Sequence, residues 1–288
     1  MSAGSHQYFR KPPDLDRELD YLIQFVLKET ASSSTQSSGH HQPAVHVVTH
    51  VNRGVSPVIQ NGPMCGLVAL TMASTMLGGF PKGEDEAHPE TLFQLARQHG
   101  TSKNGEIFAV EFLRDIAHDQ LHCQQADVVE LASLDILDTV LLGKGLLVPY
   151  DADKDHTPCL ERGHKAHWCL VVGIAVVLSD VERTNYSDIL DCCKPNLSLP
   201  GHFVIREDRR TSFLVHKQLL GSLAHYYVFA RHGKSSHLGL WKFSDLLESN
   251  KNLVEIDPKR TRPGEYIIPE GGIKEGLCGK ALLISKHQ

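Results

Sequence analysis

A long apolar run that directly follows a Gly-Pro turn constrains the fold of this chain more than any other stretch. Gly62 and Pro63 break regular structure, and residues 67–76 then have the length and apolarity of a buried helix. The glycine pair at 78–79 is typical of a helix end. Cys65 therefore falls in the first turn of the predicted helix. Unpaired backbone N–H groups and the positive end of the helix dipole favour a thiolate there, so we expect a lowered pKa for the Cys65 thiol.

The overall composition is that of a globular protein with a large core. The chain has 288 residues, of which 41% are hydrophobic and 22% are charged. Its net charge of -5 gives no general attraction to phosphate, and no basic stripe is interleaved with aromatic residues, so nucleic-acid binding is not expected. Seven cysteines in a chain of this length indicate reduced thiols. Residues 1–10 lack the features of a signal peptide, and no segment has the roughly 18 consecutive apolar residues of a membrane span. We expect a soluble, cytoplasmic protein.

The N-terminal region is expected to contain one helix and one linker. Residues 14–28 carry apolar side chains at helical spacing with charged residues between them, which predicts an amphipathic helix that docks on the rest of the protein. Residues 29–43 are rich in serine and histidine and too polar to form a core, so we predict a flexible linker. We assign residues 1–45 to this helix and linker, and residues 46–288 to the functional domain.

Beyond residue 88, helical periodicity comes first and strand patterns follow. The predicted helices are at 89–99, 106–118, 131–142 and 244–250. The predicted strands are at 145–150, 168–178, 225–231, 238–243 and 279–285, with a hairpin around Gly233. A loop at 179–201, which contains Cys192 and Cys193, is expected between them. This order predicts an α+β fold, in which an antiparallel sheet from the second half of the chain packs against helices from the first half.

A cysteine nucleophile needs a base, which a sequence-distant histidine usually supplies. His167 is the best candidate, because it immediately precedes the long buried strand and would be held by a rigid element. Gln60, just before the Gly-Pro turn, is placed to donate a side-chain N–H to the oxyanion that forms when a thiolate attacks a carbonyl, with the backbone N–H of Cys65 as a second donor. Each residue alone is also compatible with an ordinary core or solvated position, and their combination favours catalysis. The papain-like peptidases use the same chain order.

A metal site is the main competing interpretation of the polar residues. Cys159, His164 and His167 are close in sequence, and the adjacent Cys192 and Cys193 could complete a site. The spacing lacks the separated cysteine pairs of structural zinc sites. Three aspartates at alternate positions within 151–155 suggest calcium ligands, but the glycine and the closing glutamate of an EF-hand are missing. We therefore expect neither a metal nor a cofactor.

Several segments together resemble the actin maturation protease family. The segments are Gln60-Asn61-Gly62-Pro63-Met64-Cys65-Gly66, Leu147-Val148-Pro149-Tyr150-Asp151, Gly163-His164-Lys165-Ala166-His167-Trp168, Gly233-Lys234-Ser235, Glu248-Ser249-Asn250 and Gly276-Leu277-Cys278-Gly279. Members are similar to the papain-like peptidases that process bacteriocin leaders. The resemblance implies a papain-like cysteine peptidase fold and a cytosolic aminopeptidase that removes the N-acetylated methionine or cysteine of immature actin, exposing an acidic terminus. By the same resemblance Cys65 is the nucleophile, His167 the base and Gln60 the oxyanion residue.

The group that orients His167 stays open at this point. Papain-like enzymes place an asparagine or aspartate at the end of a following strand, but residues 231–235 contain neither a carboxylate nor an amide. A backbone carbonyl or an acid elsewhere is the alternative, and Asp151 is a candidate because it ends the strand that precedes His167. The resemblance also implies actin as substrate, and profilin as a partner where a long proline-rich N-terminal region is present. Only Pro12 and Pro13 correspond to such a region here, which does not favour profilin binding.

The leading hypothesis is a cysteine aminopeptidase that acts on the blocked N-terminus of actin. The second is another papain-like thiol hydrolase, such as a deconjugating protease of the ubiquitin type. The third is a non-catalytic actin-binding module that retains the fold. A substrate panel distinguishes the first two, and the reactivity of Cys65 toward electrophiles separates both from the third.

Overall fold

The computed structural model describes residues 14–34, 45–78, 88–120, 124–178, 186–220, 226–260, 262 and 264–286. Within these ranges, ten strands form one sheet with apolar clusters on both faces. The helices are α1 (Leu15–Ser34), α2 (Cys65–Met76), α3 (Pro89–Gln98), α4 (Val110–Gln120), α5 (Ile136–Leu141), α6 (Ser187–Leu190), α7 (Arg210–Val215), α8 (Phe243–Lys251) and α9 (Gly272–Leu277). The strands are β1 (His46–Val51), β2 (Gln124–Glu130), β3 (Gly145–Ala152), β4 (Pro158–Cys159), β5 (Ala166–Leu178), β6 (Cys193–Pro195), β7 (His202–Ile205), β8 (Tyr226–His232), β9 (Gly239–Lys242) and β10 (Lys280–Lys286). None of these helices combines the length and apolarity needed to cross a bilayer.

Strand β5 organises the sheet, because three other strands pair with it. β3 pairs antiparallel with its first part, β1 with its second part, and β8 along the opposite edge. The register shifts between Val171 and Gly173, where β5 passes from β3 to β1. Side chains alternate between the two faces of a strand, and the shift reverses this alternation, so that Val172 and Ala175 both face the cluster that contains α1 and α2. All of β5 except its first residue is buried, as its apolar sequence predicts.

The sheet is mixed, which corrects the predicted antiparallel sheet from the second half of the chain. β1 pairs antiparallel with β5 but parallel with β7, and β2 lies at one edge beside β10. The sequence pattern predicts no strand before residue 145, so the division into a helical half and a strand half is wrong for β1 and β2. Polar residues obscure the β1 pattern. Thr49 is 4% exposed, and its hydroxyl hydrogen-bonds to Nε2 of His202 at 2.8 Å.

Helix α1 docks on the sheet as predicted, but it is longer than predicted. Leu19, Ile23 and Val26 are buried in the same apolar cluster as α2. The linker prediction is wrong for residues 29–34, which form the end of α1. Tertiary contacts support this extension, since Nζ of Lys242 donates to the Glu29 carboxylate at 3.0 Å. The rest of the predicted linker, residues 35–43, and the proline pair at 12–13 lie outside the described residues.

Most other predicted elements are present with ends shifted by a few residues. α2 begins at Cys65 and is buried on nearly all sides, and β8 and β9 form the predicted hairpin. The predicted helix at 131–142 is instead a short 3-10 turn followed by α5. The predicted loop at 179–201 contains α6 and β6 in the part that the structure describes.

A buried carboxylate explains why the helix predicted at 106–118 begins only at Val110. Glu106 accepts hydrogen bonds from the backbone N–H groups of Lys103 and Asn104 at 3.1 and 2.7 Å. These bonds hold the preceding segment as a turn, so that residues 106–109 stay outside the helix and Ile107 lies against Gly66 of α2.

Replacing Gly173 tests how much the stability of the protein depends on the close packing of β5 against β1, at the point where the pairing of β5 passes from β3 to β1. An alanine Cβ at this position would lie 2.5 Å from the carbonyl oxygen of His50 and 2.9 Å from the Cα atom of Val51, both in the backbone of β1. We expect Gly173→Ala to lower the free energy of unfolding by roughly 1–3 kcal/mol, the range for overpacking a core, in urea denaturation. Gly145→Ala in β3 is the control, because its Cβ would be no closer than 3.6 Å to any neighbour. Equal stability of the two variants would contradict this account.

Candidate active site

One cavity of about 600 Å³ lies where the start of β5 meets the start of α2, and it is lined by Gln60, Cys65 and His167. The apolar part of its wall includes Ile59, Pro63, Ile107, Phe108 and Trp168. The polar part includes Asp153, His156, Lys165 and Lys234. The structure therefore brings together the three residues that the sequence selects as oxyanion donor, nucleophile and base.

Cys65 is the first residue of α2, at a helix end that has no side-chain cap. Met64 occupies the N-cap position and makes no capping hydrogen bond, so the first-turn N–H groups are not used by a capping side chain. Gly66 lets this helix end approach β5 closely. A Cβ at Gly66 would lie only 3.3 Å from Cδ1 of Trp168, the residue that follows His167.

Burial raises the pKa of the Cys65 thiol above its ordinary value. The backbone N–H groups of Trp168 and Gly66 and the charge of Lys234 act in the opposite direction, but desolvation is the larger effect. The lowered pKa expected from the helix end is therefore wrong for this structure. The resting group is a neutral thiol, and a thiolate has to be produced by transfer of the proton to a nearby base.

His167 is the second residue of β5 and is 5% exposed. Burial lowers the pKa of its imidazole well below the ordinary value, and the charges of His232, Lys234 and His156 act in the same direction. The ring is therefore neutral at neutral pH, which is the form that accepts a proton. A neutral thiol and a neutral imidazole that line one cavity can act as a nucleophile and a general base.

Aromatic rings surround His167 on its buried side. Tyr150, its cross-strand neighbour in β3, makes an edge-to-face contact with 5.9 Å between ring centroids, and His232 at the end of β8 makes another at 6.0 Å. Trp241 stacks on His232 at 6.1 Å and lies 5.1 Å from Tyr150. Nε2 of His167 is buried and has no hydrogen-bond partner among the described residues. We call Tyr150, His232 and Trp241 the aromatic box, and its packing holds the imidazole.

The sequence patterns did not single out the aromatic box. His232 ends β8, which pairs with β5, within the segment 231–235 that offers no carboxylate or amide. The histidine at position 232 was the sequence feature that could have indicated the aromatic box. Tyr150 and Trp241 come from β3 and β9, and only the pairing of the strands brings them to His167.

Asp151, the sequence candidate for orienting His167, has a different set of contacts. Its carboxylate accepts hydrogen bonds from three backbone N–H groups within residues 161–165, at 2.7 to 3.0 Å. The register pairs Tyr150 with His167, so the Asp151 side chain points to the opposite face of the sheet. Asp151 therefore orders the loop that leads into β5, and acts on His167 only through the backbone.

Gln60 is held against the loop between β8 and β9. Its backbone N–H donates to the carbonyl oxygen of Gly233 at 2.8 Å, and its side-chain Nε2 donates to the carbonyl oxygen of Gly62 at 2.5 Å. An amide nitrogen carries two N–H groups, so the second is available to a ligand in the cavity. The close contact requires glycine at position 233, where a Cβ would lie 2.9 Å from Oε1 of Gln60.

A strained turn places His156 on the cavity wall. His156 has a φ of 65°, in the left-handed region that residues with a side chain rarely adopt. The Tyr150 hydroxyl donates to its carbonyl oxygen at 3.0 Å, and the Asp153 side chain accepts from the backbone N–H of Thr157 at 2.9 Å. These bonds maintain the turn, and the His156 ring lies 5.1 Å from that of His232.

The two lysines of the cavity differ in their pairing. Nζ of Lys165 lies 3.2 Å from the Glu161 carboxylate. Lys234 is exposed, and its ammonium group makes no ion pair within the described ranges. Its charge is close enough to act on both Cys65 and His167. Lys234 is therefore the cation that the cavity offers to an anionic ligand.

The residues of the competing metal interpretation are dispersed. Nε2 of His164 hydrogen-bonds to the Glu255 carboxylate at 3.0 Å, and neither His164 nor Cys159 lines the cavity. Cys193 is buried, with its thiol against the carbonyl oxygen of Ile189. In the part of the chain that the structure describes, no group of three or more histidine, cysteine, aspartate or glutamate side chains could hold a metal ion.

Comparison with known proteins gives one consistent result. Residues 55–175 match the family described as "Actin maturation protease-like, C-terminal domain". The actin maturation protease of Bos taurus is 37% identical over 238 residues, which cover 79% of this chain and 63% of that protein. The protein of that name from Danio rerio is 34% identical over 81% of this chain and 73% of its own length, and that from Drosophila melanogaster is 32% identical over 80% and 69%. The chain thus matches less than two thirds of the bovine protein's length. No solved structure matches the chain significantly.

The pH dependence of hydrolysis tests the environment of His167. As pH falls through the lowered pKa of His167, the ring becomes protonated and stops acting as a base, so we expect kcat/KM to decline only well below pH 6.5. His232→Ala opens the buried side of the ring to water and removes a group whose charge, when it is protonated, lowers the pKa of His167. Both changes raise the pKa of His167, so the acid limb should move toward 6.5. His216→Ala, outside the cavity lining, is the control. An acid limb at the same pH in His232→Ala and in wild type would contradict the role given to His232 in lowering the pKa of His167.

Proposed function

Because this chain belongs to the actin maturation protease family, we propose that it is a cysteine aminopeptidase that removes an N-acetylated methionine or cysteine from the N-terminus of immature actin. The observation that carries this proposal is the convergence of Cys65, His167 and Gln60 on one cavity at the start of α2. A cysteine at a helix start, followed along the chain by a histidine on a strand, supports a papain-like mechanism. The domain boundary at residue 46 and the cytoplasmic location stay predictions.

In the first step, the Cys65 thiol attacks the carbonyl carbon of the acetylated residue. A bond forms between Sγ and that carbon, and the thiol proton passes to the neutral imidazole of His167. Negative charge develops on the carbonyl oxygen, where the second side-chain N–H of Gln60 and the backbone N–H of Cys65 stabilise it. Since both side chains are neutral at rest, the charged pair exists only during the reaction.

In the second step, the bond between the carbonyl carbon and the nitrogen of the next residue breaks. The His167 imidazolium returns its proton to the leaving amine, and the acetylated residue stays on Cys65 as a thioester. A water molecule that gives a proton to His167 then attacks the thioester. Release of the acetylated amino acid, with return of the proton to sulfur, restores the thiol.

The aromatic box supplies the stabilisation that a carboxylate supplies in other triads. No ring of the box raises the pKa of His167, which stays low because the imidazole is buried, and this keeps the base available. When the imidazolium forms, the ring of Tyr150, whose centroid lies 5.9 Å from that of His167, is close enough to stabilise the cation. His167 thus stays neutral between turnovers and is charged only transiently.

Lys234 is the residue best placed to bind an acidic residue beyond the scissile bond. It lines the cavity that contains Cys65, and its ammonium group has no carboxylate partner among the described residues. The family resemblance implies that the new N-terminus of actin is acidic. A carboxylate there can pair with Lys234, while Lys165 is already paired with Glu161.

A panel of peptides tests the proposed substrate. The peptides begin with N-acetylmethionine followed by acidic residues, with N-acetylmethionine followed by neutral residues, or with unblocked methionine, and one carries a C-terminal Gly-Gly isopeptide. We expect the acetylated acidic peptide to be cleaved with the highest kcat/KM, measured by mass spectrometry. Lys234→Ala should raise KM for this peptide by roughly fivefold, the upper end for an exposed ion pair. It should leave the KM for the neutral peptide unchanged.

Two controls make the panel decisive. Lys165→Ala removes a cation of the same cavity that is already paired, so we expect a smaller change in KM than for Lys234→Ala. His167→Ala reports any contaminating peptidase. Preference for the Gly-Gly isopeptide would favour a deconjugating protease, and absence of cleavage of every peptide would favour a non-catalytic module. Either result would overturn the proposed function.

A further inference from the structure

The first turn of α1 touches the loop that forms one wall of the cavity. This loop, residues 233–238, joins β8 to β9 and is called the 233–238 loop below. Oε1 of Glu18 accepts a hydrogen bond from the backbone N–H of Leu238 at 2.9 Å. The same oxygen accepts a second bond from Nδ1 of His237 at 2.9 Å. A residue near the N-terminal end of α1 therefore fixes the far end of a cavity loop.

The junction between α1 and this loop contains two buried opposite charges. The Glu18 side chain is 10% exposed, and Arg231 is 3% exposed. Burial lowers the pKa of Arg231, while the negative charge of Glu18 favours its cationic form. Arg231 itself donates to the carbonyl oxygen of Ser236, within the loop, at 2.6 Å. Glu18 thus acts on Arg231 through its charge, and on the loop through its two hydrogen bonds.

The near end of the loop is bound to the oxyanion residue. The carbonyl oxygen of Gly233 accepts the backbone N–H of Gln60 at 2.8 Å, and Gly233 leaves no room for a Cβ beside the Gln60 side chain. The loop is thus held at one end by Glu18 and holds Gln60 at the other. A shift of the loop away from α1 would move the Gln60 amide relative to Cys65.

From these contacts we propose that Glu18 is a positioning residue, which acts through the 233–238 loop on the oxyanion donor Gln60. This inference rests on the proposed hydrolase function. α1 is then part of the catalytic apparatus, although it contributes no group to the reacting atoms. The expected consequence is a loss of kcat with little change in KM, because the interaction that Gln60 supplies is made only in the transition state.

The test compares Glu18→Ala with Glu29→Ala in the cleavage of the N-acetylmethionyl peptide. Glu29 lies on the same helix and contacts the other end of the same hairpin, through Tyr227 and Lys242. We expect Glu18→Ala to lower kcat by roughly tenfold to 10²-fold, the effect of a small displacement of a catalytic group. Glu29→Ala should stay within about twofold of wild type. Glu18→Gln should recover most of kcat, since its amide oxygen still accepts from Leu238.

A double-mutant cycle separates positioning from a general loss of stability. Gln60→Ala alone should lower kcat by about 10² to 10³, and adding Glu18→Ala should then lower it little further, because the group that Glu18 positions is gone. If the two losses multiply, or if Glu18→Ala has the kcat of wild type, the proposal is overturned. Glu18→Asp, which keeps the charge but is one methylene too short to make the bond to Leu238, serves for the same cycle if Glu18→Ala does not fold.

Hydrogen exchange distinguishes failure of this inference from failure of the proposed function. The amide of Leu238 should exchange at least about tenfold faster in Glu18→Ala than in Glu29→Ala, since its acceptor is lost. A wild-type protein that cleaves no acetylated peptide would overturn the proposed function and the catalytic role of Glu18 with it. If the enzyme is active but exchange at Leu238 is unchanged, only the contact between α1 and the 233–238 loop is overturned, and the proposed function stands.

Discussion

The contact between the start of α2 and the start of β5 is the interaction on which the whole site depends. Gly66 allows it, because a side chain there would meet Ile107 and Trp168 at 3.2 to 3.3 Å. The indole N–H of Trp168 donates to the carbonyl oxygen of Ile107 at 3.1 Å. This bond joins β5 to the segment that contains Ile107, and both pack against α2 at Gly66. Since α2 is buried along most of its length, it cannot slide or rotate without loss of core packing. Cys65 is thereby fixed at the start of β5, where the backbone N–H of Trp168 acts on its thiol.

The same burial sets the chemistry of the site. It raises the pKa of the thiol and lowers that of the imidazole, so Cys65 and His167 are both neutral in the resting protein. The imidazole is held by the aromatic box, and its Nε2 has no partner among the described residues. Stabilisation therefore has to be supplied as charge develops. In the proposed mechanism Gln60 and the first turn of α2 stabilise the oxyanion, and the 233–238 loop keeps Gln60 in place.

How much of this could be predicted depended on the distance over which each interaction acts. The start of α2 and the selection of Cys65, His167 and Gln60 follow from local patterns, namely a Gly-Pro turn, an apolar run and a strand start. To predict which face the Asp151 side chain points to, one would need the register of β3 on β5, since a shift of one residue turns a side chain to the other face. The thiol pKa was predicted in the wrong direction because desolvation, a property of the folded core, outweighs the helix end.

Elements that depend on tertiary contacts were the least predictable. β1 and β2 lack a clear apolar alternation, and Thr49 of β1 finds its side-chain hydrogen-bond partner in β7, far along the chain. The last turns of α1 have a serine-rich sequence that is typical of a linker. The aromatic box and Glu18 come from segments that are distant in sequence and meet only in the folded protein.

The identity of the nucleophile is the central claim, and the cleavage of an N-acetylmethionyl peptide by Cys65→Ala under single-turnover conditions tests it most directly. With protein in excess and product measured by mass spectrometry, this account predicts a loss of roughly 10⁴-fold or more relative to wild type. The unfolding transition in urea should remain that of a folded protein, because the substitution removes one sulfur from a cavity wall. Undiminished cleavage by folded Cys65→Ala would contradict the account.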